Sequence, residues 1–374
     1  MSTSLSRRRI DIFCQVIDNL GDIGVSWRLA RQLQHEHHCQ VRIWVDDLKA
    51  LTRLAPETLT NTNLQIIDHI EVGHWHHDEV VESLTKEAPE IVIAAFSCEL
   101  PASYKQLIPQ SKKTTLFSLE YLSAESWVSD FHLQTSLRSD GLKPIYFFPG
   151  FTDSTGGLLR ETNLITDMRA WSADSVGVHR WLSEIGVDTW WLEHRPQVRL
   201  AFGFTYPNAA WSQWLRLLAQ QSQPTLLLVP EGMQGNLTAS DNQYAQHVQW
   251  QTAPFVPQAE FDRFLWSTDL NFVRGEDSLV RAIWAGRPFI WHIYAQDDDL
   301  HHDKLSDWLE LANMPTTINH LQHQWSRQIA DTTWLDQLHG DSWHGWQEAC
   351  LAHRAQLLAQ PSLTTQLLNF ASKT

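Results

Sequence analysis

The stretch "IDIFCQVIDNLGDIGVSWRLARQLQHEHHCQVRIWVDD" (10–47) restricts the fold more than any other part of the chain. An apolar run from Ile10 to Ile17 leads into a glycine-bearing turn at Asn19–Gly24, then into a helix-period pattern from Val25 to about Glu36, then into a second apolar run over 39–47. Two strands joined through a helix pair in parallel, and a parallel sheet must be covered on both faces. Further strand-like runs at "NLQIIDHI", "EIVIAAFS", "KTTLFSLEY" and "PIYFFPGF" extend the pattern, so 1–170 is expected to be one α/β domain around a largely parallel sheet. After "GVHRWLSEIGVDTWWLEHRPQ", a helix and connector, strands resume at "VRLAFGFTY", "PTLLLVP", "HVQWQTAPFV", "DLNFV" and "PFIWHIY", with helical patterns such as "AAWSQWLRLLAQQ", "QAEFDRFLWST" and "SLVRAIWAG" between them. That predicts a second α/β domain over 171–359. The tail is helical in pattern, and 360–374 is expected to pack back on the first domain. A chain of 374 residues is long enough for two separate cores.

Composition removes several classes of function. A net charge of −15, with no cluster of Lys and Arg, argues against a nucleic-acid partner, because that affinity rests on neutralising phosphates. No apolar run approaches the roughly 20 residues of a membrane span, and the beginning "MSTSLSRRRIDIF" lacks a signal core. The four cysteines, Cys14, Cys39, Cys98 and Cys350, are scattered without a CxxC pair, so a reduced, cytoplasmic protein is expected. Most of the nineteen tryptophans are expected in the core.

In open α/β sheets, ligands bind beyond the carboxyl ends of the strands, and two turns fall there. The first, "IDNLGDIG", lacks G-x-G-x-x-G, which weakens a dinucleotide reading even with Asp46 and Asp47 ending the next strand. Its two carboxylates, Asp18 and Asp22, would repel a pyrophosphate; they suit a cation, a hydroxyl to be deprotonated or a metal ion, unless Asp22 only caps the helix and Asp18 ends the strand. The second turn is Arg274-Gly275-Glu276-Asp277-Ser278. Gly275 lets backbone approach a ligand, Arg274 supplies charge, and Ser278 with the first helical N–H groups suits phosphate oxygens. Glu276 there suits sugar or ribose hydroxyls; the alternative is that Glu276, Asp277 and Ser278 cap the helix. Phe204 and Tyr206 at a strand end, with Gln258 and Phe261, suit a planar base. "GHWHHDE" and "DDDLHHDK" hold metal-ligand residue types without a zinc spacing, so solvated loops and no metal are expected. "FFPGFTDSTGGLL" reads as a flexible loop, and without G-x-S-x-G its Ser154 is not expected to be a nucleophile.

Together, the stretch 15–33, "RGEDSLVRAIWAGRPFIWHIY" and "FFPGFTDSTGGLLRE" resemble one family, the bacterial protein-arginine rhamnosyltransferases that modify translation elongation factor P (the EarP family). The resemblance implies the GT-B fold, two facing Rossmann-like domains with an interdomain cleft. It implies dTDP-β-L-rhamnose as donor, no metal or other cofactor, and inverting transfer to a guanidine nitrogen of one arginine of elongation factor P, which then rescues ribosomes stalled at polyproline. By motif, Asp22 resembles the general base, Asp18 its partner in orienting the arginine with Asn19 and Gly21 in the vicinity, and Glu276 a third essential acid. Phe204, Tyr206, Gln258 and Phe261 fall where the family holds thymine and deoxyribose, and Arg274, Asp277 and Ser278 where it holds the diphosphate. Leu20 departs from the aromatic expected beside Gly21. Rival readings are another GT-B transferase or an epimerase, which would not need the first turn, and a non-catalytic protein-binding module.

Overall fold

Helix-linked apolar strands pair in parallel, and the computed structural model forms two such sheets. It describes every residue except 1–6, 19, 76–77, 110–113, 196, 240, 242–246, 297–298, 330 and 374. The chain divides into two compact units, Met1–Thr162 with Gln360–Thr374, and Asn163–Ala359. The boundary expected at 170 falls instead at Thr162, just before the helix Leu164–Ala173.

In the first unit, β1 (Arg9–Cys14), β2 (Gln40–Val45), β3 (Leu64–Ile67), β4 (Ile70–His74), β5 (Ile91–Ala95), β6 (Thr115–Leu119) and β7 (Ile145–Phe147) form a sheet of order β3-β4-β2-β1-β5-β6-β7. Every pairing is parallel except β3 with β4. The run "NLQIIDHI" is therefore a hairpin rather than one strand. Asp68 and His69 both take left-handed backbone (φ 48° and 65°) and reverse the chain there. From β1 the chain passes to β2 on one side and later crosses to β5 on the other, so the sheet's switch point lies at the carboxyl ends of β1 and β5.

The second unit repeats this plan with β8 (Arg199–Gly203), β9 (Thr225–Pro230), β10 (Val248–Ala253), β11 (Leu270–Arg274) and β12 (Phe289–His292), in the order β10-β9-β8-β11-β12 and wholly parallel. Here the switch point lies between β8 and β11. Its core holds an aromatic cluster in which Trp211, Trp214 and Trp325 pack on Phe272 with ring centroids 4.5–4.9 Å away. Tryptophan is thus mainly a packing residue in this chain, and Trp127 and Trp190 are among the exposed exceptions.

The segment "FFPGFTDSTGGLLRE" is tied down, contrary to the flexible loop expected. Gly156 N–H donates to the Phe148 carbonyl (2.7 Å), and Leu158 and Leu159 are buried. Glu161 takes a bidentate pair from buried Arg28 of the first helix, Gly21–His35 (2.7 and 2.6 Å). The Leu158 carbonyl accepts from Leu363 N–H, which starts the final helix Leu363–Ala371. Leu363 and Leu367 lie in the same core as β1 and β5, which places the tail in the first unit.

Candidate active site

At the first switch point, β1 ends at Cys14, earlier than expected, and the first helix begins at Gly21, so both turn glycines lie inside its opening turns. The helix is capped by Leu20 with no side-chain hydrogen bond, so Asp22 is not the cap. Its Oδ2 instead accepts the N–H groups of Ile17 and Asp18, both at 2.9 Å. Asp22 is 2% exposed, and burial raises its carboxyl above the ordinary range; the neighbouring Asp18 charge pushes the same way, while the two N–H groups and the Tyr121 hydroxyl oppose it. Asp18 is half-buried, and its Oδ2 lies 2.7 Å from where a Cβ on Gly21 would stand. Glycine at 21 makes room for the second carboxylate. Asn19, expected in this vicinity, lies outside the described residues.

Asp46 and Asp47 are engaged elsewhere than on a ribose. Asp46 Oδ1 accepts from Val16 N–H (2.9 Å) and pins the turn, and Asp47 caps the helix Leu48–Thr52. The dinucleotide reading loses its acidic residue.

At the second switch point, contacts link residues read from sequence as separate signals. The Arg274 guanidinium carbon lies 5.1 Å from the Phe204 ring centre and 4.7 Å from that of Tyr206, and Phe204 packs edge-on against Phe261 at 5.1 Å. Gln258 donates to Asp277 Oδ2 (3.2 Å), which also accepts from Arg281 Nε (2.9 Å). Gly275 turns the chain in the left-handed region (φ 59°), and Trp291 Nε1–H binds its carbonyl (2.9 Å). The Ser278 hydroxyl does not point to an open cradle: it accepts Arg274 N–H (2.9 Å) and donates to the Arg274 carbonyl. Its side chain fastens the turn, leaving backbone N–H groups for an anion. Glu276 is the cap position of the helix Asp277–Ala285 but makes no side-chain cap; it pairs with Lys304 (3.3 Å). The capping alternative for Glu276 therefore fails.

The family model for elongation factor P (EF-P) rhamnosyltransferase EarP matches residues 10–372. The chain belongs to this family. The protein-arginine rhamnosyltransferase of Pseudomonas aeruginosa is 42% identical over 321 residues, covering 82% of this chain and 83% of that one. Its namesake from Pseudomonas putida is 39% identical over 377 residues, covering 96% and 97%. A solved structure concerned with EarP-mediated arginine glycosylation of translation elongation factor EF-P is 30% identical, with a TM-score of 0.65 over 98% of this chain and 100% of that one. MurG of Acinetobacter baumannii, at 13% identity and a TM-score of 0.52 over 98% and 100%, shares the GT-B fold. The EarP-family chain is thus an enzyme, a protein-arginine rhamnosyltransferase with two parallel-sheet domains.

In this EarP-family chain, each of the two residue groups also has a neighbour that sequence patterns do not reveal. Tyr121, two positions past β6, donates its hydroxyl to Asp22 and is 41% exposed. It stacks on Phe96 at 4.8 Å and 25°. Phe96 and Ser97 follow β5 in consecutive left-handed conformations (φ 56° and 59°), which bulky residues adopt only when the surroundings hold them; Phe96 N–H is fixed to the Leu119 carbonyl (2.7 Å). The available signal was an aromatic residue just past a strand's carboxyl end. His292, at the end of β12, accepts Tyr206 N–H (3.3 Å) and is pushed down to about 4 by burial and by Arg274, so it is neutral at pH 7.

The histidine clusters differ from the solvated loops expected. His74 lies in β4 with Nε2 3.1 Å from the Asp46 carbonyl, while His76 and His77 lie outside the described residues. His301 is buried in the helix Leu300–Leu311, and with His302 and Asp299 it brings donor atoms within 4.8 Å of one another. These three are candidate ligands for a divalent ion, although His301 Nδ1 accepts Gln296 N–H (3.3 Å); Asp297 and Asp298 lie outside the described residues. Ser154 sits exposed, 3.0 Å from the Thr152 hydroxyl. Among the described residues, no helix is long and apolar enough to cross a membrane.

Proposed function

We propose that the enzyme transfers L-rhamnose from dTDP-β-L-rhamnose to a guanidine nitrogen of one arginine of elongation factor P, with inversion at the anomeric carbon and no metal. The observation that carries this reading is the pair Asp18 and Asp22 on one turn, one half-buried and one buried. Burying like charges together is costly, and a planar guanidinium that donates two-pronged hydrogen bonds to carboxylates offsets that cost. Elongation factor P as acceptor follows the family's description and the subject of the related solved structure.

A guanidinium with a pKa above about 12 is a poor nucleophile, and no carboxylate deprotonates it fully in advance. Asp18 and Asp22 orient the group, and Asp22 accepts its proton as the nitrogen–C1 bond forms. Its carboxyl, raised by burial, is a better acceptor than an ordinary one. As that bond forms, the bond from C1 to the β-phosphate oxygen breaks, and Arg274 with the N-terminal N–H groups of the helix Asp277–Ala285 stabilises the departing dTDP. Thymine and deoxyribose are assigned to Phe204, Tyr206, Phe261 and Gln258, and the sugar hydroxyls to Glu276. Four buried, free cysteines support a cytoplasmic setting. Intact-mass analysis of elongation factor P after incubation with the enzyme and dTDP-rhamnose tests the proposal. One added deoxyhexose, lost when the acceptor arginine is replaced by lysine, is expected; an unmodified acceptor, or the same gain on the lysine variant, overturns it.

A further inference from the structure

We propose that the unit Asn163–Ala359 carries a second anion site, for the phosphate groups of a small oligophosphate or nucleotide, in the cavity where Arg169, Arg287 and Arg354 converge. The cavity encloses about 560 Å³ and is also lined by Trp266, Gln347 and Ser172. Among the described residues no carboxylate lines it, in a chain whose net charge is −15. Gly286 and Arg287 follow the helix Asp277–Ala285 and precede β12, so the cavity opens at the amino-terminal edge of the sheet. The Arg274 group occupies the carboxyl edge. These are two sites in one unit.

Part of the cluster has a structural purpose. Arg354 Nη1–H donates to the carbonyls of Trp284 and Ala285, both at 3.2 Å, and so caps the helix's negative end. Gly286 adopts φ 65°, and a Cβ there would lie 2.6 Å from Arg354 Nη1, so glycine lets the guanidinium lie flat on the turn. All hydrogen bonds of Arg354 among the described residues leave from Nη1, and Nε and Nη2 make none. That cap needs one arginine. Arg169, exposed, and Arg287, half-buried, make no hydrogen bond or ion pair among the described residues, and their charges press on Arg354. Three guanidiniums gathered without a counter-charge repel one another, and an anion with several oxygens relieves that repulsion and uses their free donors. Trp266, which also lines the cavity, is the aromatic side chain there for a base beside the phosphate subsite.

Pyrophosphate and ADP are titrated separately into the full-length protein, with backbone-amide NMR shifts of Gly286 and Gln347 reporting on this cavity rather than on the Arg274 group. Saturable shifts at both amides are expected, weakened about tenfold or more in Arg169→Gln/Arg287→Gln. The double variant should melt no lower than the wild type, since it removes only repulsion; if it does not fold, Arg169→Gln alone gives the same reading, because that side chain is exposed. Tighter binding of ADP assigns a nucleotide, and equal binding a free oligophosphate. Unperturbed Gly286 and Gln347 amides, or affinity unchanged in the variants, overturn the proposal.

Discussion

Asp22 is the residue where stability and chemistry pull apart. Its carboxyl is raised from an ordinary 3.8, mainly by burial, so the native state holds that proton more tightly than the unfolded chain does. Stability from this group is therefore greatest at low pH, declines as pH rises from 3.8 through the raised value, and is lowest above it. Asp22→Asn removes the charge but keeps an oxygen for the N–H groups of Ile17 and Asp18. At pH 7 the variant should melt at or above the wild-type temperature while single-turnover transfer falls by about 10² or more. Donor affinity should stay unchanged, since the residues assigned to the donor belong to the unit Asn163–Ala359 and Asp22 to the other. The acid limb of wild-type kcat/KM should correspondingly lie above the usual carboxylate range. Near-normal turnover, or a clear loss of stability, would show that Asp22 is a structural brace only.

At the scale of elements, the strand, turn and helix order was legible because burial on both faces leaves a continuous apolar strand, and the helix shows its 3.6 period. The turn itself was less legible. Within the glycine turn expected at 19–24, Gly21–Gly24 are a helix start, because glycine signals freedom without saying which backbone state uses it. Gly21 instead answers a local need for space beside Asp18 Oδ2. The seven donor-side residues were readable as types at strand ends and helix starts, and the structure joins Phe204, Tyr206, Phe261, Arg274 and Ser278 in one contact group and pairs Gln258 with Asp277. The bonds of Ser278 to the Arg274 backbone were not legible, because a hydroxyl near an anion turn looks alike in sequence whether it faces a ligand or its own strand. Tyr121 reaches Asp22 only through the β1-β5-β6 adjacency, a non-local pairing that no periodicity encodes. The element-scale prediction follows from the space at Gly21. Gly21→Ala should favour the helix by intrinsic propensity, roughly 1 kcal/mol, yet displace the Asp18 carboxylate. Transfer should drop while dTDP affinity and secondary structure persist, measured by rate, calorimetry and circular dichroism. Unchanged turnover would mean that the position of Asp18 is immaterial.

For the whole molecule, one topological rule accounts for both candidate sites. Each sheet reverses its strand order once, and the residues assigned to acceptor and donor fall at those two reversals, at the ends of β1 and β5 and of β8 and β11. The division of labour is testable because each unit has its own core and its own amides. dTDP binding to the native state stabilises it by about RT ln(1 + [L]/Kd), roughly 2.7 kcal/mol at a hundredfold excess over Kd. Hydrogen exchange should report that gain in the unit Asn163–Ala359, strongest in peptides covering 203–206, 258–261 and 274–279, and it should persist in excess chelator because Arg274 and helix N–H groups, not a metal, are assigned to the diphosphate. Peptides over 15–22 should be unaffected by dTDP alone. Arg274→Ala, which removes a charge-assisted contact worth roughly 1.5–3 kcal/mol, should weaken the protection at matched dTDP concentration. Protection that vanishes in chelator refutes the metal-free cradle, and protection centred on 15–22 refutes the assignment of that turn to the arginine.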